Sequence, residues 1–95
     1  MFRHIVCFSL LQDKKDQVGE AKERLLSLKA IPEVKNIEVG LDELHSDRSY
    51  DIVLIVDFDS KADYKVYDQH ELHQPVRKFM HGIRETSVAV DFNRE

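Results

Sequence analysis

Residues 50–58 alternate strictly, yet both registers are apolar: Ile52, Leu54, Val56 and Phe58 face one way, Val53 and Ile55 the other. A strand that is apolar on both sides must be covered on both sides. In a chain of 95 residues, with room for one core, that demand narrows the options sharply. Residues 2–11 repeat it. Phe2, His4, Val6, Phe8 and Leu10 share one face, and the other, with Arg3, Ile5, Cys7, Ser9 and Leu11, is half apolar. His4 therefore lies on the more apolar face, where an imidazole is either a core group bonded to the backbone or part of a pocket lining.

The remaining segments supply the cover. Residues 12–30 read as one helix, with Val18, Ala21, Leu25 and Leu28 forming a stripe at three- and four-residue steps. Gly19 weakens that helix by about 1 kcal/mol relative to alanine. The alternating run Asp13-Lys14-Lys15-Asp16 reads as a solvated face, and Pro32 closes the segment. Residues 34–41 form a strand with Ile37, Val39 and Leu41 on one face; Gly40 marks a bulge or a close backbone approach. The polar loop 42–49 leaves His45 in solvent. Ser60 then caps a helix, with Asp63 three residues on, and Ala62, Val66 and Tyr67 are its apolar face. A second helical piece over 74–80 has Pro75 in its first turn and Gly82 as its stop. Residues 84–92 are the last strand, with Val88, Val90 and Phe92 on one face and Ala89 between them.

The order strand, helix, strand, strand, helix, strand is the βαββαβ pattern of an α+β, ferredoxin-like domain, a four-stranded antiparallel sheet with helices on one face. It accounts for residues 1–95 as a single domain. Two helical segments cover one face only, so the other would expose more apolar surface than a soluble monomer tolerates. The expected partner is a second copy, laid sheet to sheet in a two-fold homodimer. A formal charge of −4 argues against nucleic acid or an anionic membrane as partner, since phosphate binding needs a basic patch. No apolar run approaches the ~20 residues of a membrane span, and the first residues lack the layout of a signal peptide. With Cys7 the single cysteine, a cytoplasmic setting fits best.

Proton-transferring groups concentrate in residues 60–79, where Tyr67, His70 and His73 fall close together. On a continuous helix, positions 67 and 70 lie roughly 60° apart and positions 67 and 73 roughly 120° apart. Convergence of Tyr67 and His73 therefore needs a bend, which the Pro75 region can supply. A histidine near neutral pKa can take a proton from a carbon beside a carbonyl while a tyrosine hydroxyl polarises the oxygen. The same residues equally suit a buried hydrogen-bond cluster joining helix to sheet. Two histidines three apart fall short of the three or four ligands of a zinc site, so no metal is expected, and no phosphate-cradling glycine loop or other cofactor motif is present.

Several landmarks resemble a known family: Arg3-His4-Ile5-Val6, Ile31-Pro32-x-Val34, Val39-Gly40, Tyr50-Asp51-Ile52-Val53-Leu54, Tyr67-x-x-His70-x-x-His73 and Val90-Asp91-Phe92. In order and spacing the chain resembles the stress-responsive A/B barrel domain (Dabb) family. The resemblance implies a dimeric α+β barrel. One plant branch of that family resembles polyketide cyclases, in which a tyrosine and a histidine act as an acid/base pair beside a first-strand histidine. Matched by position, Tyr67 and His73 fall on the pair, His4 on the first-strand histidine and His70 on a supporting one. Glu71 departs from the pattern, which has proline there. Three functions stand open: a dimer binding a small organic molecule in a pocket lined by His4, Val6, Phe8, Leu54, Tyr67 and His73; a cyclase- or lyase-like enzyme using Tyr67 and His73 without a redox cofactor; and a structural, stress-associated oligomer.

Overall fold

The computed structural model describes residues 1–94. Strands β1 (Phe2–Leu10), β2 (Asn36–Leu41), β3 (Ile52–Phe58) and β4 (Arg84–Asn93) form one sheet in the order β2-β3-β1-β4, every neighbour antiparallel. Helices α1 (Val18–Leu26), α2 (Lys61–Gln69) and α3 (His73–Ile83) supply the second layer. The two doubly apolar strands, β1 and β3, are the central pair, as burial on both faces requires. The core lies between sheet and helices, where Leu10, Leu54, Val56 and Phe58 from the sheet meet Leu25, Val76 and Met80. Among the described residues no helix is long and apolar enough to cross a membrane.

Among the described residues none forms a layer on the other sheet face. The molecule is only 17 Å thick along its shortest axis, which is one sheet plus one layer of helices at ~10 Å spacing. Register places Ile5 opposite Ile55 and Val90, and Cys7 opposite Val53 and Val88. The exposed β4 side chains continue that surface: Val88 is 49%, Val90 62% and Phe92 41% accessible. The doubly apolar β1 and β3 implied this uncovered face, and β4 widens it.

Local expectations fare unevenly. Residues 12–30 are not one helix: 3-10 turns at Gln12–Gln17 and Ser27–Ala30 flank α1. The first turn contains no buried residue, so no apolar stripe holds it in α geometry. Gly82 does not stop its helix; α3 runs through it to Ile83 and passes directly into β4. The inward face of α2 is built by Tyr64 and Tyr67, whereas Ala62 and Val66 point outward. Ser60 caps α2 as expected, its Oγ accepting the Asp63 N–H at 3.2 Å. A Cβ at Gly40 would meet Val53 Cγ1 at 3.0 Å while the β2–β3 register runs unbroken, so this glycine marks a close approach and not a bulge.

One ion pair fastens the sheet. Arg3 donates from Nε and Nη2 to the two carboxylate oxygens of Asp57, at 2.8 and 2.9 Å across the β1–β3 pair, and Arg94 adds a longer contact. The Arg3 hydrogen bonds hold the Asp57 carboxyl below the usual carboxylate range. A depressed folded pKa stabilises above the unfolded value near ~3.9, and the contribution is lost as pH falls through the folded pKa. The thermal midpoint should therefore drop between about pH 5 and about pH 3. Asp57→Asn should start lower at neutral pH and fall less steeply with acid. An unchanged acid slope in that variant would assign the acid sensitivity to other carboxylates.

Candidate functional site

Three elements bring the sequence-predicted groups together. His4 leaves the first half of β1 toward the helices, Tyr67 lies in the last turn of α2, and His73 opens α3. The bend that lets Tyr67 and His73 meet lies before Pro75, not at it. His70 caps α2 in extended geometry (φ −64°, ψ 142°), the region a residue before proline is pushed into. Glu71 follows it without proline, and the geometry persists because the His70 ring accepts the Leu72 N–H through Nδ1 at 3.0 Å. His70 is thus spent on the turn. It does not line the cavity that the other candidates share.

The Tyr67 and His73 rings lie 4.5 Å apart between centroids at an interplanar angle of 34°. His4 sits 6.1 Å from Tyr67 and 4.9 Å from Tyr64, and Phe58 packs edge-on against Tyr67 at 5.0 Å. His4 and Asp91 are bonded through Nδ1 and Oδ1 across the β1–β4 pair. A carboxylate only accepts, so His4 Nδ1 is the donor in this pair. His73 Nδ1 faces the Tyr67 carbonyl, which only accepts, at 3.2 Å and the Arg77 guanidinium, which only donates, at 3.4 Å; the shorter contact assigns the proton to Nδ1 and the free lone pair to Nε2.

Burial, and next the Arg77 guanidinium, push the His73 pKa below its ordinary value. Arg77 is held there by Asp68, its Nη2 donating to Oδ1 at 2.6 Å and to the Asp68 carbonyl at 3.0 Å. His73 is accordingly neutral at pH 7. In an NMR titration its ring should titrate below about 6.5, and Arg77→Met, which removes the positive neighbour, should raise the midpoint. A midpoint that stays put in the variant would refute the role given to Arg77.

Tyr67 is fully buried, and burial drives its phenol pKa far above the ordinary value. Its hydroxyl is the one buried side-chain polar atom among the described residues without a hydrogen-bond partner. Native structures rarely leave such a group unpaired, because its desolvation is uncompensated. Tyr67 lines a cleft of about 170 Å³ with His4, Val6, Phe8, Leu54 and His73. A larger depression of about 420 Å³ lies between the first 3-10 turn and the β2–β3 loop, but its carboxylates are already engaged, Asp51 by Lys15 and Asp42 by the His45 backbone N–H. His45 is exposed there, as expected. Among the described residues no three His, Cys, Asp or Glu side chains are grouped to hold a metal.

Three neighbours escaped the sequence reading. Asp91 was within reach of it, since alternation puts Asp91 opposite Val90 and Phe92 and so toward the helices. Tyr64 lies three residues before Tyr67 and shares its helix face. Arg77 lies one turn after His73 on α3, but its pairing with Asp68 depends on how α2 and α3 pack.

Residues 2–94 match the family model of the stress responsive A/B barrel domain. The chain belongs to this family. Several solved structures share the whole architecture. A dimeric protein of unknown function with ferredoxin-like fold from Bacteroides fragilis superposes with a TM-score of 0.85 at 30% identity, covering 98% of this chain and 95% of that one. A dimeric ferredoxin-like protein of unknown function from Thermobifida fusca gives 0.87 at 29%, covering 98% and 90%. The hydroxynitrile lyase of Passiflora edulis gives 0.85 over 99% and 93% of the chains, but at 21% identity that likeness concerns the fold alone. No curated protein sequence matches the chain.

Proposed function

We propose that this A/B barrel domain works as a homodimer, joined through its open sheet face, and binds a small organic carbonyl compound in the cleft between sheet and helices. The unpaired Tyr67 hydroxyl carries this reading. Within an otherwise satisfied aromatic cluster it is a donor awaiting an acceptor, and a ligand carbonyl oxygen supplies one. The hydroxyl is shielded from water in the free protein, so a ligand must turn a side chain at the cleft to reach it; catalytic hydrogen bonds commonly align only in the complex. The uncovered Val88, Val90 and Phe92 support the dimer, as do the relatives from Bacteroides and Thermobifida described as dimeric.

A second reading, cyclase- or lyase-like acid–base catalysis, is favoured by His73. Its neutral ring stacks on Tyr67 with Nε2 uncommitted, next to the donor that would hold the carbonyl. Nε2 would take a proton from the carbon beside the carbonyl, the C–H electron pair would move toward the oxygen, and Tyr67 O–H would stabilise the developing oxyanion. The imidazolium would then return the proton. The test is heptyl methyl ketone in D₂O with wild type, Tyr67→Phe and His73→Gln, followed by NMR. Wild type should bind the ketone and Tyr67→Phe should bind it at least tenfold more weakly. Equal binding would refute the carbonyl reading. Deuterium exchange of the hydrogens beside the carbonyl, lost in His73→Gln while binding persists, would establish catalysis; binding without exchange would leave a binding protein.

A further inference from the structure

The cleft has a second polar end that the Tyr67–His73 chemistry does not use. Along β4 the residues facing it are Ser87 and, at the α3 junction, Arg84, where His81 joins them. Arg84 differs from the other arginine of the cleft. Arg77 is committed to Asp68, whereas Arg84 pairs with no carboxylate among the described residues and is half-buried at the lining. A guanidinium is permanently charged and matches a carboxylate bidentately. Holding it unpaired and partly buried against a cleft is unfavourable unless an anion meets it.

The distance between the two ends limits the ligand's shape. On β1 the lining runs from His4 to Phe8, which pairs with Ser87, and at ~3.3 Å per residue that is about 13 Å along the strand. The inward reach of the side chains shortens that span. Between the ends the lining is apolar, with Val6, Phe8, Leu54, Val76 and Met80. A volume of about 170 Å³ has room for a small, slender molecule. A compact polar molecule would leave one end unmatched, and a neutral chain would leave Arg84 unmatched.

We infer that the cleft takes an elongated anionic carbonyl compound: an acyl chain whose carboxylate meets Arg84, Ser87 and His81 while its carbonyl, at the far end, meets Tyr67. This rests on the carbonyl reading of the cleft and adds the substrate class to it. The chain would lie along β1 with its methylenes on Val6 and Phe8, and the charge would fix its direction.

The experiment compares two nine-carbon probes by calorimetry or NMR. One is an oxo acid with a carboxylate at one end and a methyl ketone at the other; the second is heptyl methyl ketone, which keeps the ketone and lacks the charge. Wild type should bind the oxo acid at least tenfold more tightly. Arg84→Gln should abolish that advantage without changing affinity for the neutral ketone, and Arg84→Lys should restore part of it. Equal affinity of wild type for both probes, or an advantage undiminished in Arg84→Gln, overturns the anionic end while ketone binding leaves the carbonyl reading standing. Failure of wild type to bind either probe at millimolar concentration overturns both. Thermal melts, expected at or above the wild-type midpoint for Arg84→Gln and at wild type for Arg84→Lys, separate lost recognition from lost folding.

Discussion

Val90→Asp is expected to convert the protein from dimer to monomer while leaving the subunit folded. Val90 is the most exposed of the three β4 side chains on the open face, at 62%, and lies opposite Ile5 at the apolar centre of that surface. Burying one valine side chain is worth about 1.5–3 kcal/mol. In a two-fold interface each residue enters twice, once from each copy. The substitution also places two unpaired carboxylates against an apolar surface, which costs several kcal/mol more unless they become protonated. Even a total loss of about 3 kcal/mol weakens association roughly a hundredfold. The isolated subunit should suffer little, because exposed substitutions usually shift stability by no more than about 0.5 kcal/mol. Val66→Asp is the control: Val66 is similarly apolar and 47% accessible, but lies on the outer side of α2. Analytical ultracentrifugation should show Val66→Asp sedimenting as wild type and Val90→Asp as a monomer. A Val90→Asp dimer as tight as wild type would remove the sheet face as the interface.

Much of the architecture was legible because strand periodicity is unforgiving. A one-residue slip moves every side chain of a strand to the opposite face, so the alternation of residues 2–10 and 52–58 identifies the inner pair and the open surface together. Helical detail was less legible. Ala62 and Val66 look like the buried stripe of α2 because they are apolar, yet two tyrosines with larger apolar area take the inward positions. In the 12–30 segment, charge alternation was compatible with a helix but supplied nothing to pack, and the first turn tightened to 3-10 geometry.

The candidate site divides along the same line. His4, Tyr67 and His73 are single side chains whose direction follows from strand parity and from a bend between helices, and the structure gathers them into one aromatic cluster. His70 was drawn in by its spacing from Tyr67, but helix ends are set by local hydrogen bonds. Once α2 stops at Gln69, the His70 ring is more useful to the turn than to the cleft. The charged members were harder still. Which of Arg77 and Arg84 finds a carboxylate depends on the packing of α2 against α3, since Asp68 reaches only the former. Nothing in the spacing of two arginines along a chain records that choice.

Tyr67→Phe should make the protein more stable and a poorer binder. The hydroxyl is buried and unpaired, so its removal relieves a desolvation cost of about 1–3 kcal/mol and leaves the packing of the ring against Phe58 and His73 in place. For a domain of this size a gain of 1 kcal/mol raises the thermal midpoint by about 4–8 °C. Binding should move the other way. A ligand carbonyl that accepted the hydroxyl proton in wild type would be buried without a donor in the variant, and the loss should be at least tenfold, or about 1.4 kcal/mol. Opposite signs in the two measurements are the signature of a group kept for function at the expense of stability. If Tyr67→Phe instead lowered the midpoint, the hydroxyl would be satisfied in solution by a protein group or a buried water, and the residue would belong to the core. If stability rose and ketone affinity did not change, the strain would be real but without a ligand to relieve it, and the carbonyl reading would fall. Only the combination of a higher midpoint and weaker binding assigns the hydroxyl to the cleft. Because the Tyr67 ring is shared between cleft and core, measuring either quantity alone would mistake one role for the other.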